Sequence, residues 1–319
     1  MTTSAIGDQR WADGSSDGSS DGRSGGPSSE SPQPLSPRPS GQISRRKVPT
    51  SMKVRRNLIH IPLIIMGLVT LFPFLAMVSI SLRPGEAVSV PDIFINPNIS
   101  LDSYVAALSN SRIPRWALNT AIYSVVSVVF VLLFASMAGY AFAKKKFLGR
   151  EVIFWVFIAM LMIPYQLTII PQYLIVGQIG GLNTMWGLII PTIANAQAMF
   201  LMRQFIQDIP DELIDAAKID GAGEFRVYWS IILPQTKPIM ATLGTFVFLW
   251  HWNDFLWPLV AQQSPENYVL TVGLNSLQSE TVSLATLMAT AVVTFIPALL
   301  VFIFLQRYFV RGVMMSGIK

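Results

Sequence analysis

Apolar positions in this chain come in long runs separated by short polar stretches. Six runs are each about long enough to cross a hydrocarbon core as a helix, which takes about 20 residues. They cover about Leu58–Leu82, Ala117–Ala143, Val152–Val176, Met185–Phe205, Pro238–Val260 and Leu284–Phe309. In lipid every backbone N–H and C=O must be bonded within the segment, so these runs predict helices and not strands. Pro191 and several polar residues weaken the fourth run, and Pro73, Pro164, Pro258 and Pro297 predict local bends or breaks. The pattern predicts an all-α membrane protein with six transmembrane helices.

The longest stretch between runs on the predicted outer side reaches from Pro84 to Trp116. There Leu101, Tyr104, Val105 and Leu108 recur at helical spacing behind Asp102 and Ser103. That spacing predicts a short amphipathic helix on the outer face. Residues 1–56, ahead of the first run, read as a separate segment. Asp13 to Asp21 spells DGSSDGSSD, and Ser and Pro continue to Ser40. Such a composition buries too little apolar surface to offset the entropy of ordering, so a disordered cytoplasmic tail is predicted. The membrane domain is predicted over residues 57–319. The first apolar run is too long and begins too late for a secretory signal.

Charge supports this reading and orients it. Only 13% of the residues are charged and 52% are hydrophobic, where soluble domains carry charge on about a quarter. With the N-terminus in the cytoplasm, the tail holds nine basic residues. The loop at Lys144, Lys145, Lys146 and Arg150 holds four, the loop from Arg203 to Lys237 another four, and the end three. Only Arg83, Arg112 and Arg115 fall outside. This bias predicts both termini in the cytoplasm of a multi-pass plasma-membrane protein. It also explains the net charge of +5 through membrane topology, with no nucleic-acid partner. The chain has no cysteine, which excludes disulfides and thiol chemistry. Its two histidines, His60 and His251, lie far apart in apolar runs and read as structural residues, so no metal or cofactor is expected.

The inner loop between the fourth and fifth runs carries the most specific signal. Asp208 and Pro210 are helix-start residues, and Asp211 and Glu212 suit the positive end of a helix. Leu213, Ala216, Ala217 and Asp220 then share one face. Gly221 and Gly223 permit a sharp turn. A second short helix is predicted from about Glu224 to Leu233, ended by Pro234. The loop thus predicts a helix–turn–helix whose paired alanines admit the close approach of another protein, with Leu213 and Ile214 as apolar anchors.

The same loop resembles the Glu-Ala-Ala motif of ATP-binding-cassette importer permeases. Asp215, Ala216, Ala217, Gly221, Ile231, Leu233 and Pro234 stand at that motif's spacing, with Asp215 in place of its Glu. The resemblance covers about Leu58 to the end. Trp252-Asn-Asp-Phe-Leu-Trp-Pro-Leu259, Gln306-Arg-Tyr-Phe-Val-Arg-Gly312, Arg115-Trp-Ala-Leu-Asn-Thr120 and Ile219-Asp-Gly-Ala222 are similar to the carbohydrate, maltose-permease-like branch. The resemblance implies a permease subunit for a sugar or oligosaccharide, its loop seated in a cleft of a separate ATPase. It further implies two ATPase subunits, a second homologous permease subunit, an extracytoplasmic solute-binding protein and an alternating-access cycle. Leu213, Asp215, Ala216, Ala217, Asp220, Gly221, Ile231, Leu233 and Pro234 are the expected coupling residues.

Candidates for the solute path come from polarity inside the runs. Asp254 lies well within the fifth run beside Asn253, where an ionisable group must face protein or water. Trp250 and Trp252 flank it as surfaces for a sugar's C–H faces, and Asn195 and Gln197 add polar groups nearby. Trp257 is a third indole beside the same stretch, and Tyr165 and Gln166 add further polar groups in or near the third run. The chain has no Gly-Lys pair and therefore no phosphate-binding loop, and no HExxH pattern. It reads as a part driven by a separate ATPase and not as an enzyme. A stand-alone secondary transporter and a permease for another small polar solute are the alternatives.

Overall fold

The computed structural model describes residues 50–83, 99–109, 112–278 and 282–316, with side chains described between His60 and Phe304. The polar tail predicted before Thr50 lies outside the described residues. The chain divides into two units, residues 1–58 and 59–319. In the first, the described residues 50–58 are helical.

The long elements are α1 (Thr50–Ser81), α2 (Asp102–Ser109) and α3 (Arg112–Lys144), followed by α4 (Arg150–Met160) and α5 (Tyr165–Gln178). Next come α6 (Met185–Ile193), α7 (Ala196–Gln207), α8 (Asp211–Ile219), α9 (Glu224–Val227), a π-helical turn at Tyr228–Ile232, and α10 (Leu233–Gln235). The chain closes with α11 (Lys237–Trp252), α12 (Leu256–Ala261), a 3-10 turn at Pro265–Asn267, α13 (Leu270–Leu277) and α14 (Leu284–Ser316). Every element among the described residues is helical.

All six apolar runs are helical, but they are not six straight rods. His60–Ser81, Arg112–Lys144 and Leu284–Phe304 are long and apolar enough to span a membrane singly. The third run is α4 and α5, meeting at 105°. Pro164, extended at ψ 129°, supplies that break. The fourth run is α6 and α7, bent by 43° after Pro191. The fifth run is a 16-residue helix, α11, which stops at Asn253 and resumes as α12, so it is shorter than a span. Pro73 and Pro297 lie inside unbroken helices, as prolines in membrane helices do when neighbouring groups re-satisfy the backbone.

Helix α3 is the central post, packed most extensively on α7 and α11. Its buried line alternates small and aromatic residues: Trp116, Thr120, Tyr123, Ser127, Ala135, Ser136, Gly139 and Tyr140. Leu118, Val125, Val129 and Phe134 face outward. Small residues inside and large apolar ones outside suit lipid, where close helix approach and not water exclusion drives packing. At Gly139 a Cβ would lie 2.8 Å from Met202 Cβ and 3.0 Å from the Arg203 backbone nitrogen, so α7 approaches α3 to a distance only glycine allows.

Near the predicted outer ends, three residues of one resembling stretch bind α3 to the 265–270 segment. Trp116 Nε1 donates to the Pro265 carbonyl (2.6 Å), and Asn119 Nδ2 to those of Glu266 (3.0 Å) and Tyr268 (2.9 Å). The Leu270 N–H donates to Thr120 Oγ1 at 2.8 Å. The predicted amphipathic helix is α2. Leu101 before it and Val105 and Leu108 on it are exposed, Ser103 and Ala107 are buried, and Tyr104 bonds to Ser81 (2.7 Å).

Candidate functional site

Two places gather the predicted site residues: the loop from Asp211 to Gln235, and a cleft beside the end of α11. In the loop, α8 runs as predicted and ends at Asp220, whose N–H donates to the Ala216 carbonyl. Gly221 follows at φ +79°, the left-handed conformation that favours glycine. The second helix departs from expectation. After α9 the backbone widens into the π turn, where the Leu233 N–H donates to the Tyr228 carbonyl five residues back. Pro234 does not end the helix but stands in the first turn of α10, and the helical path stops only at Thr236. Proline lacks the N–H of a regular α-ladder, and the wider turn ahead of it absorbs that loss.

Burial divides the motif in two. Asp215, Ala216, Asp220 and Gly221 are exposed, as is Leu213 at 43%. Ala217, Ile231 and Leu233 are half-buried, Ala217 and Leu233 against the protein's own core, and Pro234 is exposed on the far side of the turn. Ile214, expected as an anchor for a partner, is 5% exposed and instead pins α8 to that core. Phe225 and Trp229 extend the exposed apolar face, with ring centroids 5.8 Å apart.

The loop is held by the C-terminal end of α3. Lys144 Nζ donates to the carbonyls of Ile209 (2.5 Å) and Gln207 (3.2 Å) and to Asp211 Oδ1 (2.7 Å). Lys145 pairs with Glu224, and its ammonium lies 4.8 Å from the centroid of the Tyr140 ring. Tyr140 donates to the same Glu224 carboxylate (3.1 Å). One turn deeper, the hydroxyls of Ser136 and Tyr228 meet at 2.7 Å, so the π turn is itself tied to α3. The hydrogen bond from Lys145 holds the Glu224 carboxyl below its usual range against the opposing effect of burial, and Lys144 does the same for Asp211. The sequence showed these lysines only as topology signals, because their partners stand 67 and 79 positions away.

In the cleft, the structure brings together Trp250, Asn253, Asp254, Tyr165 and Gln166 around a volume of about 530 Å³. Asp254 Oδ2 accepts from the Tyr123 hydroxyl (2.8 Å), and the Asp254 carbonyl accepts from Thr271 Oγ1 (2.6 Å). Neither partner stood out in the sequence. The other candidates lie elsewhere. Trp252 is buried toward α14, where its indole N–H donates to the Thr294 carbonyl (3.0 Å). Trp257 is buried and donates to Leu188. Asn195 caps α7, its Oδ1 accepting from the Ala198 N–H (2.8 Å). Gln197 is exposed and does not line the cleft. His251 is buried with its Nδ1 at 2.7 Å from the Val247 carbonyl and its ring edge-on to Tyr123.

The family described as binding-protein-dependent transport system inner membrane component matches residues 131–315, which hold the loop, α11 and the cleft's acid. The chain belongs to this family. It is a multi-pass integral-membrane permease of an ATP-binding-cassette importer and not an enzyme. Permeases of this family work with a separate ATPase and a second permease. Among curated relatives, the arabinooligosaccharides transport system permease protein AraQ of Halalkalibacterium halodurans is 34% identical over 256 residues, covering 79% of this chain and 92% of that one. The sn-glycerol-3-phosphate transport system permease protein UgpE of Yersinia pestis bv. Antiqua is 33% identical over 81% of this chain and 95% of that one. A chain in the crystal structure of a bacterial ABC transporter involved in import of the acidic polysaccharide alginate has the same fold. Its TM-score is 0.73 at 24% identity, covering 82% of this chain and 99% of that chain.

Proposed function

We propose that this permease imports a sugar or oligosaccharide, with both termini in the cytoplasm, and is driven through the 211–235 loop. Residues 57–319 form the permease domain in this reading, and residues 1–56 a cytoplasmic tail. An extracytoplasmic solute-binding protein delivers the solute, and closure of an ATPase pair pushes on the loop and tilts the spans. The observation that carries the reading is the loop's division into two faces. One presents Leu213, Asp215, Ala216, Asp220 and Gly221 to a partner, and the other is fastened to α3 by Lys144 and Lys145. A surface that is exposed yet anchored passes a push on to the spans. The carbohydrate part rests on the similarity to AraQ and on the motif stretches of that branch. The orientation rests on the lysine and arginine bias.

The test is co-purification from gently solubilised membranes, with Ala216→Asp as the variant. Ala216 is exposed, so the change spares the core, whereas Ala217 is half-buried against it. The ATPase is expected to co-purify with the native chain and to be lost with Ala216→Asp, while membrane insertion is unchanged. Retention of the ATPase and normal uptake by the variant would remove the coupling role. Orientation has its own check, since the chain has no cysteine. A membrane-impermeant maleimide should label Glu266→Cys in intact cells, and Lys146→Cys only after permeabilisation.

A further inference from the structure

The turn between α3 and α4 bends around a shallow cavity of about 470 Å³, lined by Lys146, Phe147, Gly149, Arg150, Glu151 and Val152. It stands where the second and third apolar runs end, at the level of the lipid headgroups. No step of the proposed transport cycle uses it.

The cavity carries a positive excess. Lys146 is exposed and, among the described residues, has no ion-pair partner. Arg150 donates from Nη2 (2.7 Å) and Nε (3.1 Å) to Glu151 Oε1, and from Nη1 to the Lys145 carbonyl (3.1 Å). One carboxylate therefore faces two cations. One turn along the same face of α4, the Arg203 guanidinium lies 4.0 Å from the centroid of the Phe154 ring, with its Nε buried and without a hydrogen bond.

The surface beside these charges is apolar. Leu148 is fully exposed at the tip of the turn, and Val152, Trp155 and Val156 continue an exposed stripe along α4 at helical spacing. From Arg150 to Val156 the helix rises about 9 Å, which leads from headgroup level toward the acyl chains. Trp155, 63% exposed, stands on this stripe as an interfacial indole. A positive turn at the end of an apolar stripe fits one molecule with an anionic head and apolar tails. Inorganic phosphate would meet the charges and leave the stripe bare. A water-soluble protein would meet the charges but not a stripe that leads into a span.

We propose that this turn is a binding site for an anionic phospholipid, with Lys146 and Arg150 on the headgroup phosphate and Leu148, Val152 and Trp155 against the acyl chains. With both termini in the cytoplasm the lipid belongs to the inner leaflet, but the site depends neither on that orientation nor on the solute. The Lys145 carbonyl is bonded to Arg150 while the Lys145 ammonium pairs with Glu224. Lipid bound here therefore braces the end of α3 that holds the coupling loop.

The experiment uses the assembled importer in nanodiscs, with bimane attached at Val156→Cys; this chain has no other cysteine, and the partner subunits are prepared without theirs. The probes are acyl-brominated phosphatidylglycerol and acyl-brominated phosphatidylcholine, each titrated into plain phosphatidylcholine. Phosphatidylglycerol is expected to quench at about fivefold lower mole fraction, the preference that one uncompensated basic residue near a membrane surface gives. The preference should shrink at about 1 M salt, vanish in the double variant Lys146→Gln, Arg150→Gln, and withstand an excess of inorganic phosphate. Arg115→Gln, at an exposed arginine near the other end of α3, should keep it. Quenching of the double variant by brominated phosphatidylcholine checks that it is folded in the bilayer. Equal quenching of the native importer by the two lipids, or a preference untouched by the double variant, would overturn the site. Displacement by inorganic phosphate would give it to a free anion, and quenching that appears only after the ATPase is stripped would give the turn to that protein. Either result overturns the lipid assignment and leaves the importer reading standing.

Discussion

Lys145 and Glu224 stand 79 positions apart, yet their contact decides how the coupling loop is held. Both ends of this pair are partly solvated, so its direct contribution is about 0.2–1 kcal/mol. Its larger effect is positional, because Glu224 begins α9 and Asp211 begins α8. The lysines hold both carboxyls below the usual carboxylate range. A carboxyl depressed in the folded state contributes stability that is present above its unfolded pKa and is lost as pH falls through the lower folded value. The loop should therefore stay fastened at neutral pH and loosen only below about pH 4. Hydrogen exchange over residues 211–227, corrected for intrinsic rates, should show protection lost on that acid side. Glu224→Gln should lose part of that protection already at pH 7 and flatten the acid response. An unchanged exchange profile in the variant would show that the pair does not fasten the loop.

At the scale of elements, the contact of α3 with α7 and the π turn before α11 carry the mechanical argument. Gly139→Val would press into Met202 Cβ and the Arg203 backbone, which cannot withdraw as a flexible side-chain end can. A loss of about 1–3 kcal/mol is expected from such overpacking, read as a lower melting temperature of the purified importer. Gly244→Ala is the control, because its Cβ would meet the end of the Leu132 side chain at an ordinary 3.4 Å. It should melt within a degree or two of the native protein. The π turn is a local widening beside Pro234, tied to α3 by the Ser136–Tyr228 hydrogen bond and by Tyr140 packed on the Tyr228 ring. Pro234→Ala returns a backbone donor and favours a regular α-ladder there. Slower uptake with normal insertion is the expected outcome, and uptake at the native rate would show that the widened turn is mechanically idle.

Over the whole molecule, α3 and α11 act as two struts joined at both ends. Tyr123 on α3 bonds to Asp254 just beyond α11. Toward the other end, Ser136 bonds to Tyr228, and Lys144 and Lys145 grip the loop that leads into α11. In the proposed cycle a movement of the loop reaches the Asp254 end of α11 along these two packed helices. Tyr123→Phe removes the outer tie with little change of shape. Basal ATPase activity of the assembled importer should persist, and its stimulation by loaded solute-binding protein should fall several-fold. Full stimulation in the variant would exclude this tie from the coupling.

Local pattern determined the helical class, the apolar runs, the paired alanines of the loop, the turn at Gly221 and the cost of an acid inside the fifth run. Each is a property of one stretch: a periodicity, a backbone preference or a desolvation penalty. Only the tertiary structure decided which motif residues are exposed. Ala216 and Ala217 are neighbours on one helix, and the core beneath α8 covers part of the second. It also decided that Trp250 opens to the cleft while Trp252 turns to α14, and that Tyr123, 131 positions away, fixes Asp254. Periodicity ranks the faces of a helix by polarity, but in a membrane the apolar lipid and the apolar interior look alike. Which face is covered is then settled by the close approach of other helices, such as α7 on Gly139, and by hydrogen bonds between distant segments.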